Sequence, residues 1–206
     1  MARLRDFDEG HVLECVLDRF WRSGYAGTSL SDLLQATSLS RGSLYQAFTS
    51  KRELYVRVLR TYLSEGEQRL RTYFVESTSL IAGLRLWMAA MVSSAGDCDR
   101  RGCFAINASV ELAPHDAEIR EILRAHNERC HAVVRDAIEH ALVCGEVLTP
   151  VGPDALAMTL MTWVAGLQVA GRSNHDPVAA EASARSLLHL IEECEPNMWR
   201  EAPREE

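Results

Sequence analysis

Apolar residues recur every three to four positions along most of the chain, the spacing of one face of an α-helix. The first such run extends from Phe7 to Ser23 through Val12, Val16 and Phe20, and a longer run covers Glu118 to Cys144. No segment alternates apolar and polar residues between turn signals, as a half-buried strand would. The pattern therefore predicts an all-α protein of about nine or ten helices, without internal repeats.

Two short helices are predicted after the first run, and hydroxyl residues mark their starts. Thr28 has the position of an N-cap for the first, and Ser40 for the second, which covers Arg41 to Ala47. Ser50 and Glu53 have capping-box spacing for the helix that follows. Two short helices joined by a three-residue turn indicate a helix-turn-helix unit, whose second helix enters the major groove of DNA.

Charge is distributed unevenly around this unit. The protein carries a net charge of −7, yet residues 1–60 hold nine Lys or Arg against seven Asp or Glu. Between Arg41 and Arg60 five basic residues stand against Glu53 alone. A local positive patch on an acidic protein favours contact with nucleic acid at this place.

The stretch GYAGTSLSDLLQATSLSRGSLYQAFTSKRELY resembles the N-terminal DNA-binding domain of the tetracycline-repressor (TetR) family of bacterial regulators. The resemblance covers about fifty residues, Val12 to Leu63, and rests on Gly-Tyr before a capped helix, Ser-Arg-Gly-Ser-Leu-Tyr, and Phe-x-Ser-Lys-x-x-Leu. The sequence departs from the family at Ser38, where a turn glycine is common, and at Gln46, where many members carry His.

The resemblance implies a helix-turn-helix domain over residues 1–50, a connecting helix from about 50 to 73, and a ligand-binding and dimerisation domain over 51–206. It also implies a repressor that binds a palindromic operator in double-stranded DNA as a homodimer and is released by a small-molecule effector. The uncharged segment 155–171 and the amphipathic segment 178–194 are predicted to pair with the same segments of a second copy. The small residues Ala165, Gly166, Ala170 and Gly171 would allow close helix approach there; both segments could instead belong to the core of one chain.

Eight residues are predicted to contact DNA: Thr28, Ser40, Arg41, Gly42, Ser43, Tyr45, Gln46 and Lys51. The small Gly42 and Ser43 let the backbone approach DNA closely. The resemblance assigns phosphate contacts to Tyr45 and Lys51. Arg41 suits guanine and Gln46 suits adenine, although either can contact the phosphate backbone alone.

A ligand chamber is predicted among the later helices, where aromatic, apolar and a few polar side chains suit a small-molecule pocket as well as an ordinary core. Its candidates are Trp87, Met88, Met91, Cys103, Phe104, Asn107, Glu111, Asn127, Cys130 and Trp163. The pattern RGCFAINASVELAPHD resembles a branch of the family in or near which some regulators respond to electrophiles. Two arginines and a helix start near Cys98 and Cys103 favour thiolates, with a buried inert cysteine as the alternative.

Several function classes fit the sequence poorly. Acidic residues in the N-terminal MARLRDFDEGH argue against a signal or transit peptide, so we expect a cytoplasmic protein without a membrane partner. The six cysteines lack C-x-x-C spacing, which favours free thiols. The uncharged Ala155–Gly171 spans only 17 residues and predicts a buried helix more readily than a membrane span.

Metal and cofactor chemistry are not expected. His126/Cys130 and His140/Cys144 each share a helical face, but about 21 Å of helix separates the pairs, so they cannot share one ion. Phosphate-binding, nucleophile-elbow and zinc-protease motifs do not occur, which argues against an enzyme. The alternatives are a redox- or metal-responsive regulator of the same fold, or a helical binding protein or enzyme without a DNA function.

Overall fold

The computed structural model describes residues 8–96, 99, 101–174 and 176–192. Within these residues the protein forms nine α-helices and no β-strand, which confirms the predicted all-α class. The helices are α1 Glu9–Ser23, α2 Leu30–Thr37, α3 Arg41–Ala47, α4 Lys51–Val75, α5 Leu80–Ala95, α6 Phe104–Glu111, α7 Ala117–Val143, α8 Pro153–Asn174 and α9 Pro177–Glu192. The described helices include none that is both long and apolar enough to cross a membrane.

Side-chain caps define the starts of the first helices. Ser40 caps α3 as predicted, because its Oγ accepts a hydrogen bond from Ser43 N at 3.1 Å. The cap of α2 is Ser29 and not Thr28. Ser29 Oγ accepts from Asp32 N, and the Asp32 carboxylate accepts from Ser29 N, which completes a capping box. Thr28 is fully buried, and its hydroxyl donates to the Gly24 carbonyl at 2.7 Å.

The cap of α4 resembles the predicted capping box with a shift of one residue. Ser50 Oγ accepts from Glu53 N at 3.1 Å, as predicted. The Glu53 carboxylate accepts from the backbone N–H of Thr49, at 2.8 Å, and not from that of Ser50. The hydrogen bond from the Thr49 hydroxyl lowers the pKa of Glu53, and the backbone bond lowers it further.

The chain divides into two compact units. The first unit contains α1 to α3, α4 as far as Glu65, and the segment Phe104–Arg124, which holds α6 and the start of α7. The second unit contains Gly66–Cys103 and the chain from Ala125 onward, with α5, α8 and α9. Residues 104–124 therefore lie in the same unit as the helix-turn-helix, whereas the sequence analysis placed them in a domain over 51–206.

The core of the first unit is rich in aromatic side chains. Tyr55 lies 5.0 Å from Phe20 and 5.3 Å from Phe104 between ring centroids, and all three are almost fully buried. Trp21 and Tyr62 pack against the same Phe104 ring. Burial raises the pKa of Tyr55, so the phenol stays neutral. Phe104, a predicted ligand residue, is thus part of the core that supports the helix-turn-helix.

The core of the second unit consists of two clusters. The larger includes Leu84, Trp87, Ile138 and Leu160, and the smaller is built on Ala95, Leu167 and Ala180. A β-carbon at Gly171 of α8 would lie 2.4 Å from the Ala95 carbonyl oxygen of α5. The predicted role of Gly171 at an interface between two chains is therefore corrected, because this glycine permits close packing within one chain.

Candidate nucleic-acid interface

Helix α3 has one buried and one exposed face. Leu44 and the following Phe48 are buried in the core of the first unit, while Arg41, Tyr45 and Gln46 are exposed. Gly42 is exposed too, and a β-carbon there would meet nothing nearer than Ser40 Oγ at 3.8 Å. The fold does not require glycine at this position. Because glycine has no side chain, nothing projects from α3 at this position, and a partner can approach the helix backbone closely.

Two pairs of side chains at this face contact each other. The guanidinium carbon of Arg41 lies 5.8 Å from the centre of the Tyr45 ring, a cation–π distance, and Tyr45 is 43 % exposed. The Ser43 hydroxyl lies 2.9 Å from Ser40 Oγ within the cap of α3. The arrangement presents a guanidinium, a phenol hydroxyl and the amide of Gln46 on one short helix, which suits hydrogen bonds to phosphates and base edges.

Lys51, the predicted phosphate contact at the start of α4, lies close to an aromatic ring. Its Nζ is 4.3 Å from the centre of the Tyr25 ring, and the residue is half-buried. Burial lowers the pKa of Lys51, while the charges of Glu111 and Asp32 raise it in opposition. Thr28, by contrast, is removed from the predicted DNA surface, because its hydroxyl is buried and bonded inside the unit.

Most of the basic patch predicted between Arg41 and Arg60 is paired with acidic side chains. Arg52 makes two hydrogen bonds of 2.9 Å to the Asp116 carboxylate, while Arg57 and Arg60 lie within 3.5 Å of Glu9 and Glu118 respectively. These acids are distant in sequence, so a count over residues 41–60 overstated the local charge. The other two basic residues of this stretch, Arg41 and Lys51, each lie over an aromatic ring. The structure records no ion pair for either of them among the described residues.

The turn between α2 and α3 contains a strained residue. Ser38 has φ 54° and ψ 19°, and it is the only described residue other than glycine with positive φ. A left-handed conformation costs a residue with a β-carbon about 1–2 kcal/mol, and glycine avoids this cost. The left-handed conformation at Ser38 thus gives a physical reason why glycine is common at this turn position in the family that the sequence resembles.

A carboxylate that the sequence analysis assigned to ligand binding holds the turn between α1 and α2. Glu111, the last residue of α6, accepts hydrogen bonds from Tyr25 N at 3.0 Å and Ala26 N at 2.8 Å. Gly24 has φ 73°, and a β-carbon there would lie 2.9 Å from Glu111 Oε2. Sequence reasoning missed this contact because the partners are 85 and 86 residues apart and no local pattern links them.

The predicted ligand residues are divided between the two units. Phe104, Asn107 and Glu111 belong to the first. The second contains the others, namely Trp87, Met88, Met91, Cys103, Asn127, Cys130 and Trp163. Within it, Trp87, Met88 and Cys130 are buried, Met91, Cys103 and Trp163 are half-buried, and Asn127 is exposed. The structure therefore brings only part of the predicted set together in one core.

The described cysteines differ in accessibility. Cys130 is buried with its Sγ 3.5 Å from His126 Nε2, and burial raises the pKa of Cys130 to about 11 and lowers that of His126. Cys103 is half-buried and Cys144 exposed; Cys98, the other predicted thiolate, lies outside the described residues. No group of three or more potential metal ligands occurs in the part of the chain that the structure describes.

A shallow surface depression of about 420 Å³ lies between α5 and α9 in the second unit. None of the ten predicted ligand residues lines it. Its walls are Arg85, Arg185, Ser186, Leu188, His189 and Glu192.

The sequence matches two protein-family models. Residues 17–58 match the model described as bacterial regulatory proteins, tetR family. Residues 80–187, just over half of the chain, match the model of the tetracyclin repressor-like C-terminal domain.

Individual relatives agree with these matches. An uncharacterised HTH-type transcriptional regulator of Bacillus subtilis, YezE, is 31 % identical over 69 % of this chain and 72 % of its own. The transcriptional repressor ComR of Escherichia coli is 27 % identical over 83 % of this chain and 82 % of its own. The structure of a cysteine mutant of the regulator CifR with a 26-bp operator duplex superimposes with a TM-score of 0.80, at 26 % identity, covering 91 % of this chain and 98 % of CifR.

Proposed function

Because this chain belongs to the tetracycline-repressor family of DNA-binding transcriptional regulators, we propose that it is a ligand-responsive repressor that binds a palindromic operator as a homodimer. The protein is a regulator and not an enzyme. In the proposal, residues 1–50 form the DNA-binding domain, residues 51–206 bind the ligand and the second copy, and the repressor acts in the cytoplasm. The observation that carries it is the exposed face of α3, with Arg41, Tyr45 and Gln46 beside the open Gly42.

The contacts divide by chemistry. Tyr45 and Lys51 supply a hydroxyl and a charge to phosphates, contacts that position the protein and carry no base identity. Arg41 and Gln46 have the fork and the amide that pair with guanine and adenine edges in the major groove. Ser40, Gly42 and Ser43 form the start of α3, where the backbone comes closest to DNA.

Selection of bound sequences from random duplexes tests the DNA function. We expect a palindromic site whose affinity falls steeply with salt, because phosphate contacts release counterions. Gln46→Ala should change the preferred base at one position of each half-site, at a cost of about 1–3 kcal/mol for the original base. Tyr45→Phe and Lys51→Ala should weaken the selected site and its mutants alike, and Gln68→Ala, at an exposed position of α4, serves as the control. Recovery of no site, or of one without two-fold symmetry, contradicts the proposal.

The proposed dimer contact is the exposed face of α8. Its residues from Ala155 to Ala170 are uncharged, and Met158 and Val169 are 55 % and 54 % exposed. On α9, Val178 and Leu190 are exposed as well. Apolar side chains that face water along adjacent helices favour burial against a second copy.

Gly166 allows a clean test of this contact. A β-carbon there meets nothing within 4 Å, so a larger side chain fits within one chain. Gly166→Arg should therefore retain helicity but yield a monomer by sedimentation, and it should lose operator affinity because one half-site binds weakly. Gln68→Arg is the matched control at an exposed helix position. If the Gly166→Arg protein remains dimeric, the dimer interface does not include this face of α8.

We propose that the effector binds in the second unit, as a reversible ligand. An electrophile that reacts with a cysteine is a second candidate, and the accessibility of the cysteines favours it. Cys103 is half-buried and immediately precedes α6, whereas burial raises the pKa of Cys130 to about 11. With N-ethylmaleimide, the Cys103 thiolate would form a C–S bond to an alkene carbon, and water would protonate the neighbouring carbon. Loss of operator binding on alkylation should disappear in Cys103→Ser and persist in Cys144→Ser. An unchanged response of Cys103→Ser would leave the reversible ligand as the proposal.

A further inference from the structure

The side-chain amide of Gln168 in α8 has a hydrogen-bonded nitrogen and an unpaired oxygen. The residue is only 4 % exposed. Its Nε2 donates to the Met91 carbonyl of α5 at 3.2 Å. Its Oε1 is buried and accepts no hydrogen bond in the structure. Since a carbonyl oxygen can only accept, the bond to Met91 fixes which end of the amide is which.

An unpaired buried acceptor is unusual in a folded protein. About nine in ten buried polar groups have a partner, and leaving one unpaired costs on the order of 1–3 kcal/mol. A leucine or methionine at position 168 would fill similar space without that cost. A glutamine oriented by one bond, with its oxygen left open, is an arrangement that can accept a hydrogen bond from a bound molecule.

The surroundings of Gln168 point to the nature of that molecule. The smaller cluster of the second unit, Ala95, Leu167 and Ala180, continues into the partly buried Val92 and Trp163. Met91 packs against both this cluster and the larger one that contains Trp87 and Cys130. Gln168 therefore bonds to the backbone of the residue that joins the two apolar clusters of the second unit. Among the sequence-predicted ligand residues, Met91 contacts both clusters, Trp87 and Cys130 belong to the larger one, and Trp163 packs against the smaller one.

The backbone around this place is tightly packed. A β-carbon at Gly171, one turn after Gln168, would lie 2.4 Å from the Ala95 carbonyl oxygen. Gly102 has φ 64°, and a β-carbon there would lie 3.4 Å from the Gln168 carbonyl oxygen. Close approach on both sides fixes the backbone of α8 around Gln168, and the bond to Met91 then orients the amide before a ligand arrives.

We propose that Gln168 Oε1 is the hydrogen-bond acceptor of the effector site and that the effector is a neutral, mainly apolar molecule with a hydroxyl or N–H donor. The two clusters that Met91 joins consist of apolar side chains, so an apolar body is buried favourably against them while a charged group is not. The oriented acceptor then selects molecules that carry a donor over isosteres that lack one. This inference rests on the proposed ligand response and specifies the chemistry of its site.

Matched ligand pairs test the selection. The probes are phenol with anisole, indole with 1-methylindole, and benzyl alcohol with benzyl methyl ether, in each of which methylation removes the donor. Binding to the full-length protein is followed by tryptophan fluorescence and by thermal shift. We expect the donor member of at least one pair to bind about five- to tenfold more tightly than its methylated partner.

Variants assign that preference to Gln168. Gln168→Leu should bind the two members of the pair with affinities within about twofold of each other. If the Gln168→Leu protein folds poorly, Gln168→Met should show the same loss of preference. Gln68→Leu makes the same change at an exposed position of the second unit and should retain the preference. A preference that survives in Gln168→Leu, or no binding by any of the six probes up to their solubility, overturns the inference.

Operator release separates this inference from the proposed function. If a probe releases the operator equally from wild type and Gln168→Leu, ligand response stands and the role of Gln168 is refuted. If probes bind with the expected donor preference but leave operator affinity unchanged, the Gln168 site stands and the ligand-responsive part of the proposed function fails.

Discussion

Replacing Glu111 with alanine should loosen the helix-turn-helix from a position outside it. The carboxylate accepts from Tyr25 N at 3.0 Å and Ala26 N at 2.8 Å, in the turn that precedes α2. Tyr25 in turn carries the ammonium of Lys51 over its ring at 4.3 Å. One side chain of α6 therefore fixes both the turn and the ring that positions a proposed phosphate contact.

The magnitude follows from the two hydrogen bonds. A bond to a charged group contributes about 1.5–3 kcal/mol when its partner is shielded from water. The Tyr25 bond is part-buried and the Ala26 bond is exposed, so water replaces the second more readily. We expect Glu111→Ala to lower the free energy of unfolding of the first unit by about 2–4 kcal/mol. Operator affinity should fall about three- to tenfold, the equivalent of one weakened contact.

Hydrogen–deuterium exchange measures the effect where it occurs. The Tyr25 and Ala26 amides should exchange at least about tenfold faster in Glu111→Ala, and urea unfolding should give the change in stability. Glu121→Ala is the control, because the partner recorded for Glu121 among the described residues is the exposed Arg124 three residues away. Loss of this surface pair should cost less than about 1 kcal/mol. Unchanged exchange at residues 25 and 26, together with unchanged operator affinity, would refute the reasoning.

Three further predictions follow from individual contacts. Ser38→Gly should raise the free energy of unfolding by about 1 kcal/mol in urea titrations, since glycine adopts φ 54° without strain, and a loss of stability would contradict this. Gly171→Ala should lower the melting temperature, at a cost of about 1–3 kcal/mol, because its methyl group would overlap the Ala95 carbonyl despite the better helix propensity of alanine. Hydrogen bonds from Arg129 and Arg71 lower the pKa of Glu67 in the folded protein. The ionised carboxylate therefore stabilises the fold fully at pH values above its unfolded pKa of about 4.3, and this contribution is lost as the pH falls through the folded pKa. Urea midpoints at pH 7 and pH 4 should therefore differ more for the wild type than for Glu67→Gln, and equal differences would exclude this contribution.

Local signals allowed much of this protein to be predicted from its sequence. The all-α class, the start of α3 at its Ser40 cap and the exposed positions of Arg41, Tyr45 and Gln46 all depend on residues within one or two helical turns. Helix periodicity and capping act over that range, so the pattern of residues is sufficient. The same local motif carries the family resemblance, which the family models confirm.

Contacts between distant residues were decided by the tertiary structure alone. Whether Thr28 or Ser29 caps α2 depended on burial of the Thr28 hydroxyl, and the pairing of Arg52 with Asp116 depended on residues 64 positions apart. Glu111 was indistinguishable in sequence from a pocket residue until α6 was placed beside the backbone of the α1–α2 turn. The open oxygen of Gln168 is likewise visible only in the packed core, because a hydrogen-bond partner, or the lack of one, is a property of neighbours that chain folding brings together.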